Sequence, residues 1–115
     1  MEDHVGMSML FDFYGELFTE KQQDIMNLYY NENLSLAEIS EITNTSRQAI
    51  HDTIKRCNKQ LMDYEEKLKL MEISRSYNEM KKIVLQSLND IRENYNDLFL
   101  IKKLDEVEEE IKKVL

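Results

Sequence analysis

Apolar side chains recur every three or four positions along most of this chain, which is the spacing of an amphipathic α-helix. The alternation of apolar and polar residues that marks β-strands, with its flanking turn dipeptides, is absent. The 115 residues include no proline, and both glycines, Gly6 and Gly15, lie near the start. The pattern therefore predicts an all-α fold.

The segment from Ser35 to Arg56, SLAEISEITNTSRQAIHDTIKR, has the pattern of two short helices joined by a tight turn. Ser35 and Glu38 are spaced as a capping box, which predicts a helix beginning at Leu36. The predicted inward face of that helix consists of Leu36, Ile39 and Ile42.

The residues of the turn fit the same interpretation. Ser40 is small, as is needed where two helices cross, and Asn44 is the non-glycine residue that best tolerates a left-handed backbone. Thr45 or Ser46 can cap the second helix, with Gln48 available as the reciprocal partner of Thr45. This arrangement is typical of a helix-turn-helix, which presents its second helix to the DNA major groove. The predicted inward face of the second helix consists of Ile50, Ile54 and Cys57.

The outward face of the second helix carries side chains suited to nucleic acid. Arg47 can pair bidentately with guanine and Gln48 with adenine, whereas basic residues later in the helix suit phosphates. The alternative is an antiparallel helix pair whose charged face is merely solvated. The predicted nucleic-acid-binding residues are Ser46, Arg47, Gln48, His51, Asp52, Lys55, Arg56 and Lys59.

The net charge of −8 has the wrong sign for a nucleic-acid binder, but it is unevenly distributed. Residues 1–33 carry seven acids and one base, whereas residues 46–59 have a balance of +3. About four phosphate contacts per copy would give weak non-specific binding. We therefore expect a homodimer that places two such helices in adjacent grooves of DNA.

The motif is expected to be flanked by other helices. Residues 9–18 predict a first helix, and Thr19 is expected to cap a second over 20–30, with inward residues Ile25, Leu28 and Tyr29. After the motif, a heptad pattern predicts that the recognition helix continues to about Glu72. The predicted dimerisation residues on it are Leu61, Tyr64, Leu68 and Met71.

The last third of the chain predicts two more helices. A break is expected at 73–76, since Ser76 and Glu79 have capping-box spacing, and another at 93–97, with Asn94 or Asn96 as cap. These helices are expected to form a dimerisation arm, and the alternative is a hairpin that closes back on the long helix. The predicted domains are a helix-turn-helix domain, 1–59, and a helical extension, 60–115.

The sequence offers no set of residues for catalysis, and we expect neither an enzyme nor a cofactor or metal. His4 and His51 lack ligand-spaced neighbours, and the single cysteine, Cys57, excludes an internal disulfide framework. The first residues lack the basic-then-apolar pattern of a signal peptide, so we expect none, and no apolar run approaches membrane-spanning length. We therefore expect a cytoplasmic protein that does not insert into membranes.

Five blocks in order resemble the YlxM family of helix-turn-helix proteins: LFDFYGELFTEKQ (10–22), LYY (28–30), SLAEIS (35–40), SRQAIHDTIKR (46–56) and DYEEKLKL (63–70). The resemblance covers about residues 7–72 and implies similarity to region 4 of sigma factors. It also implies a gene that neighbours that of the signal recognition particle protein, and a part in that targeting pathway.

By this resemblance, four residues occupy the positions that read the promoter in sigma region 4, namely Ser46, Arg47, Gln48 and His51. Ala49 and Asp52 depart from the polar or basic pattern of that region.

Three functions follow as hypotheses. The first is a dimeric DNA-binding regulator, and the second an accessory protein of the signal recognition particle that binds its RNA or protein. The third is an acidic helical adaptor that binds no nucleic acid.

Overall fold

The computed structural model describes residues 3–114, which form six α-helices, one short 3-10 helix and no strand. The all-α prediction is confirmed.

The chain divides into two compact units, residues 1–71 and 72–115. The predicted domain boundary after residue 59 lies inside the fourth helix. The elements are α1 (His4–Tyr14), the 3-10 helix (Gly15–Leu17), α2 (Glu20–Tyr30), α3 (Leu36–Thr43), α4 (Arg47–Leu68), α5 (Leu70–Asn94) and α6 (Leu98–Val114).

Side-chain caps set the starts of the first three helices. The Asp3 carboxylate accepts from the Val5 N–H at 3.2 Å, so α1 begins before the predicted residue 9. It ends at Tyr14, where the 3-10 turn replaces the predicted last turn of helix. The Thr19 cap and the start of α2 are confirmed, with Gln22 as the reciprocal partner.

The capping box at the start of α3 is also confirmed. The Ser35 hydroxyl accepts from the Glu38 N–H at 3.1 Å, and the Glu38 carboxylate accepts from the Ser35 N–H at 3.0 Å. The Ser35 N–H, and after it the Ser35 hydroxyl, hold the pKa of Glu38 below its ordinary value because they favour the charged carboxylate.

The core of residues 1–71 forms around α4. Ile50, Cys57 and Leu61 on α4 are fully buried, as are Ile39 on α3 and Met26 on α2. Burying each such aliphatic side chain contributes about 1.5–3 kcal/mol. The remaining buried apolar residues of this core are Met7, Leu10, Phe11, Tyr14, Phe18, Ile25, Tyr30 and Ile54.

One predicted inward position is wrong. Ile42 is 62% exposed, because the side of α3 that faces the core carries the buried Ile39 with the partly buried Leu36, Ser40 and Thr43.

The inward face predicted for α2 is confirmed. Ile25 is buried, and Leu28 and Tyr29 are partly buried and pack against the core. Met26 and Tyr30 are also buried on this helix.

The recognition helix ends at Leu68, four positions before the predicted Glu72, because Lys69 adopts a left-handed backbone with φ 56°. Tyr14 fixes this turn from α1. Its hydroxyl donates to Glu65 Oε1 at 2.6 Å and accepts from the Leu70 N–H at 3.0 Å. Glu65 Oε1 also accepts from the Met71 N–H at 3.0 Å, so two otherwise unpaired amides at the start of α5 are satisfied.

The predicted break at 73–76 is wrong, because α5 continues through Ser76 and Glu79 without interruption. Both side chains are exposed on α5. The break between the two long helices lies at Lys69 instead. The predicted break at 93–97 is confirmed, since α5 ends at Asn94 and α6 begins at Leu98. Its cap is Asp97, whose carboxylate accepts from the Leu100 N–H at 2.9 Å, and not the predicted asparagines.

Residues 72–115 form a unit with little core. Leu104 on α6 is its one buried residue within the described range, at 8% exposure. The two helices are joined by Arg92 of α5, which lies 2.9 Å from Asp105 and 3.4 Å from Glu108 of α6. Ion pairs therefore link α5 and α6 in addition to the buried Leu104.

Candidate nucleic-acid interface

The turn between α3 and α4 has the predicted left-handed residue. Asn44 has φ 53° and ψ 43°, and its N–H donates to the carbonyl oxygen of Ser40. The Thr45 N–H donates to the same carbonyl at 3.1 Å, and the Ser40 hydroxyl donates to the Thr45 carbonyl. The left-handed backbone predicted for Asn44 is confirmed, and Ser40 holds the turn through its carbonyl and its hydroxyl.

The first turn of α4 is capped by Ser46, which resolves the choice between Thr45 and Ser46. The Ser46 hydroxyl accepts from the Ala49 N–H at 3.1 Å. The Thr45 hydroxyl instead donates to the Thr43 carbonyl at 3.1 Å. The reciprocal pairing of Thr45 with Gln48 does not form, because Gln48 is engaged further along the helix.

Hydrophobic burial and one buried hydrogen bond fix the orientation of α4. Ile50, Ile54 and Cys57 are buried as predicted. Asn58 is also buried, and its Oδ1 accepts from the Tyr30 hydroxyl of α2 at 2.7 Å. The apolar pattern of the sequence does not predict this contact, and its one sign is a polar residue next to Cys57 on the inward side of the helix.

The environment of Cys57 keeps its thiol protonated. Burial raises the pKa of Cys57, and the positive charge of Arg56 lowers it to a smaller extent. A protonated, fully buried thiol is a poor nucleophile and a poor metal ligand. Cys57 therefore acts as a small core residue.

The outward face of α4 presents every residue predicted to bind nucleic acid. All eight are exposed, and they lie along one helix from its cap through its first three turns. Because Ile50 and Ile54 face the core, the opposite side of the helix cannot turn inward without unpacking α4. The exposed set comprises Ser46, Arg47, Gln48, His51, Asp52, Lys55, Arg56 and Lys59.

Asp52 organises the middle of this face. Its Oδ1 accepts from Gln48 Nε2 at 2.9 Å and lies 3.6 Å from His51 Nδ1. The carboxylate thus orients the Gln48 side chain. It also places a negative charge among the basic side chains of this face.

The four basic side chains of the face are available for phosphates. Within residues 3–114, Arg47, Lys55, Arg56 and Lys59 form no ion pair with a carboxylate. Their charges are therefore not neutralised by the fold itself. Dispersed over three turns, they form a basic stripe beside Asp52.

Other kinds of site are not found in the described part of the chain. No group of three or more His, Cys, Asp or Glu side chains there could hold a metal ion. None of the helices in residues 3–114 has the length and apolar content needed to cross a membrane.

Comparison with known proteins extends the resemblance beyond the helix-turn-helix. The family described as "Putative helix-turn-helix protein, YlxM / p13 like" matches residues 1–107, further than the 7–72 predicted. A UPF0122 protein of Clostridium novyi is 49% identical over 111 residues, which is 96% of each chain. One from Clostridium acetobutylicum is 45% identical over the same share, and one from Clostridium perfringens is 52% identical over 96% of this chain and 97% of its own.

Proposed function

This chain belongs to the UPF0122 family of YlxM / p13-like helix-turn-helix proteins, and from that membership and the geometry of α4 we propose that it binds double-stranded DNA as a homodimer. In this proposal the first three turns of α4 enter the major groove. Arg47 and Gln48 read bases near the helix start, and Lys55, Arg56 and Lys59 contact phosphates.

One observation carries the proposal. The left-handed Asn44 and the Ser46 cap start α4 directly after α3, and the first exposed side chains are then Arg47 and Gln48. Residues at the N-terminal end of a recognition helix are those that meet base edges in helix-turn-helix proteins. An ordinary helix pair has no need of arginine and glutamine at these positions.

The number of basic residues sets the expected strength. Three phosphate contacts, from Lys55, Arg56 and Lys59, imply a salt dependence of about −2.7 in log K against log salt for one copy. Raising the salt from about 50 mM to about 200 mM would then weaken binding about fortyfold. One copy alone is a weak binder, and two copies on adjacent half-sites would double the slope.

The test titrates labelled genomic DNA fragments with wild type, Arg47→Ala and Lys67→Ala at both salt concentrations. Lys67 is the matched control, since it is an exposed base in the last turn of the same helix. Losing a bidentate arginine contact should weaken binding about tenfold, because such a contact is worth about 1–3 kcal/mol. Lys67→Ala should leave affinity within about twofold. Equal binding by wild type and Arg47→Ala would refute the assignment.

A second candidate uses the same face on the signal recognition particle, where this protein would be an accessory that binds the particle's RNA or protein. The observation that favours it is Asp52, whose carboxylate sits in the middle of the face and opposes insertion into a DNA groove. Double-stranded RNA is recognised by its shape and backbone across a shallow minor groove. A helix with few basic residues can contact the phosphates at the edges of that groove without entering it.

A competition experiment separates the two candidates. Binding of labelled DNA fragments is challenged with particle RNA, with the purified particle protein and with an unrelated duplex RNA. Displacement by the particle RNA or protein at concentrations where the unrelated RNA has no effect favours the accessory role. No displacement favours DNA. A protein that binds none of these ligands at low salt would instead be the acidic helical adaptor.

A further inference from the structure

The unit formed by residues 72–115 leaves most of its large apolar side chains in solvent. Leu98 is 84% exposed, Val114 81% and Phe99 71%, while only Leu104 is buried among the described residues of the unit. A chain segment of about 40 residues seldom buries enough surface to be stable without a metal, a disulfide or a partner. This unit has neither a metal cluster nor a cysteine within its described residues.

Several of these exposed apolar side chains line a groove. It has a volume of about 490 Å³, and Glu106 and Glu110 line it together with apolar side chains. Phe99 lies on the same side of α6, since its ring is 5.6 Å from Lys103 Nζ, which is in turn 3.4 Å from Glu106. We call this side the groove face. The apolar lining residues are Tyr77, Met80, Val107, Ile111 and Val114.

We propose that the groove face binds a second copy of this chain, with the two α6 helices antiparallel about a two-fold axis at the level of Glu106 and Val107. The spacing along α6 fits this pairing, because Phe99 and Val114 lie equally far from that level on opposite sides. The exposed Phe99 of each copy then covers the Val114 end of the partner's groove. The contact is self-complementary and closed, so it stops at two copies.

One charge pair favours the antiparallel arrangement. Lys103 and Glu110 also lie equally far from the axis, so Lys103 of one copy faces Glu110 of the other. A parallel pairing would instead place like charges opposite each other. Residues 72–115 carry ten acids and eight bases, a net −2, whereas residues 1–71 carry −6. Association through the nearly neutral unit therefore meets the least repulsion.

The available area suits a weak dimer. An exposed aromatic or long aliphatic side chain presents on the order of 100 Å². Four such side chains line the groove and Phe99 lies on the same face, so they supply about 500 Å² per partner, which is at the low end for a specific interface. The four are Tyr77, Met80, Val107 and Val114. Of the four residues predicted for dimerisation, Leu61 is fully buried, and Tyr64 and Met71 pack on the core of their own chain. The fourth, Leu68, is 49% exposed.

The proposal is tested by sedimentation of the full chain over a range of concentrations, comparing wild type, Phe99→Asp and Leu98→Asp. Leu98 is the matched control, because it neighbours Phe99 on the same helix and is even more exposed. Wild type should dimerise. Phe99→Asp should raise the dissociation constant at least about tenfold, and Leu98→Asp should leave it within about twofold. A wild type that stays monomeric, or equal effects of the two variants, would overturn the proposal.

A charge swap tests the antiparallel arrangement without disturbing apolar packing. Lys103→Glu and Glu110→Lys should each weaken the dimer about threefold, and the double variant should recover wild-type affinity. Lys102→Glu with Glu109→Lys, on exposed positions that do not line the groove, is the control and should show no such recovery. Absence of recovery in the Lys103–Glu110 pair would reject this geometry. Because sedimentation uses no nucleic acid, its outcome is independent of the Arg47→Ala titration.

Discussion

The turn at Lys69 depends on Tyr14, and Tyr14→Phe removes that support without creating a cavity. The hydroxyl gives one hydrogen bond to the Glu65 carboxylate and accepts one from the Leu70 N–H. A hydrogen bond to a charged group contributes about 1.5–3 kcal/mol, and Leu70 is exposed enough for water to replace the lost acceptor. We therefore expect Tyr14→Phe to lower the free energy of unfolding by about 2 kcal/mol.

The assay is urea unfolding of the full chain followed by circular dichroism. A loss of about 2 kcal/mol corresponds to a midpoint about 1 M lower at a slope of about 2 kcal/mol per molar urea. Tyr95→Phe is the control, because Tyr95 is 62% exposed. Its midpoint should match wild type. If Tyr14→Phe and Tyr95→Phe unfold at the same urea concentration as wild type, the hydroxyl does not support the turn.

The effect of Tyr14 must also depend on pH. Burial, the hydrogen bond to Glu65 and the charge of Glu65 raise the pKa of Tyr14, against a smaller lowering by the Leu70 N–H. A raised tyrosine pKa means that the folded state favours the protonated form. Its contribution is therefore complete below the unfolded pKa of about 10 and is lost as pH rises through the folded pKa. The difference between wild type and Tyr14→Phe should shrink above pH ~10, and a constant difference would contradict this reasoning.

Three further predictions follow from the described residues. Lys69→Gly should raise the free energy of unfolding by about 1 kcal/mol, because glycine adopts φ 56° without steric cost. Lys67→Gly, inside α4, should lower it by about 1 kcal/mol, and urea unfolding of both variants shows whether the two changes in stability have opposite signs. The Cys57 thiol should react with a disulfide reagent only as fast as the chain unfolds, and rapid labelling of the native protein would contradict its burial. Asp52→Asn should strengthen DNA binding about threefold in the salt titration, because it removes one negative charge yet keeps an acceptor for Gln48. Equal or weaker binding by this variant would count against an approach of phosphate at this face.

Much of residues 19–61 could be predicted because its signals are local. The Thr19 and Ser35 caps act within three residues of sequence, and the left-handed Asn44 is favoured by its own side chain. At each of these positions the apolar spacing and the capping residue predict the same helix start. The orientation of α4 follows from Ile50 and Ile54 in the same way, and the exposed face is its geometric complement.

The end of α4 could not be predicted for the opposite reason. Lysine is a poor residue for left-handed backbone, and the contact that fixes Lys69 comes from Tyr14, more than fifty residues earlier. The apolar period meanwhile continues past the turn to Met71, so it gave no sign of a stop. Ser76 and Glu79 had the right spacing for a cap, but a capping box forms only where the preceding residue leaves the helix, and α5 does not.

The distribution of charge links the two proposals. The acidic side chains of residues 1–33 lie outside α4 but within the same compact unit. Their negative charge therefore opposes the approach of any polyanion to the basic stripe. Four cations on one copy offset this only weakly at physiological salt. Two copies joined through residues 72–115 would present twice as many cations in one encounter, and the second helix would bind at the effective concentration set by the first. If Phe99→Asp yields monomers, it should therefore also weaken DNA binding, even though Phe99 lies outside the basic face, whereas Leu98→Asp should not.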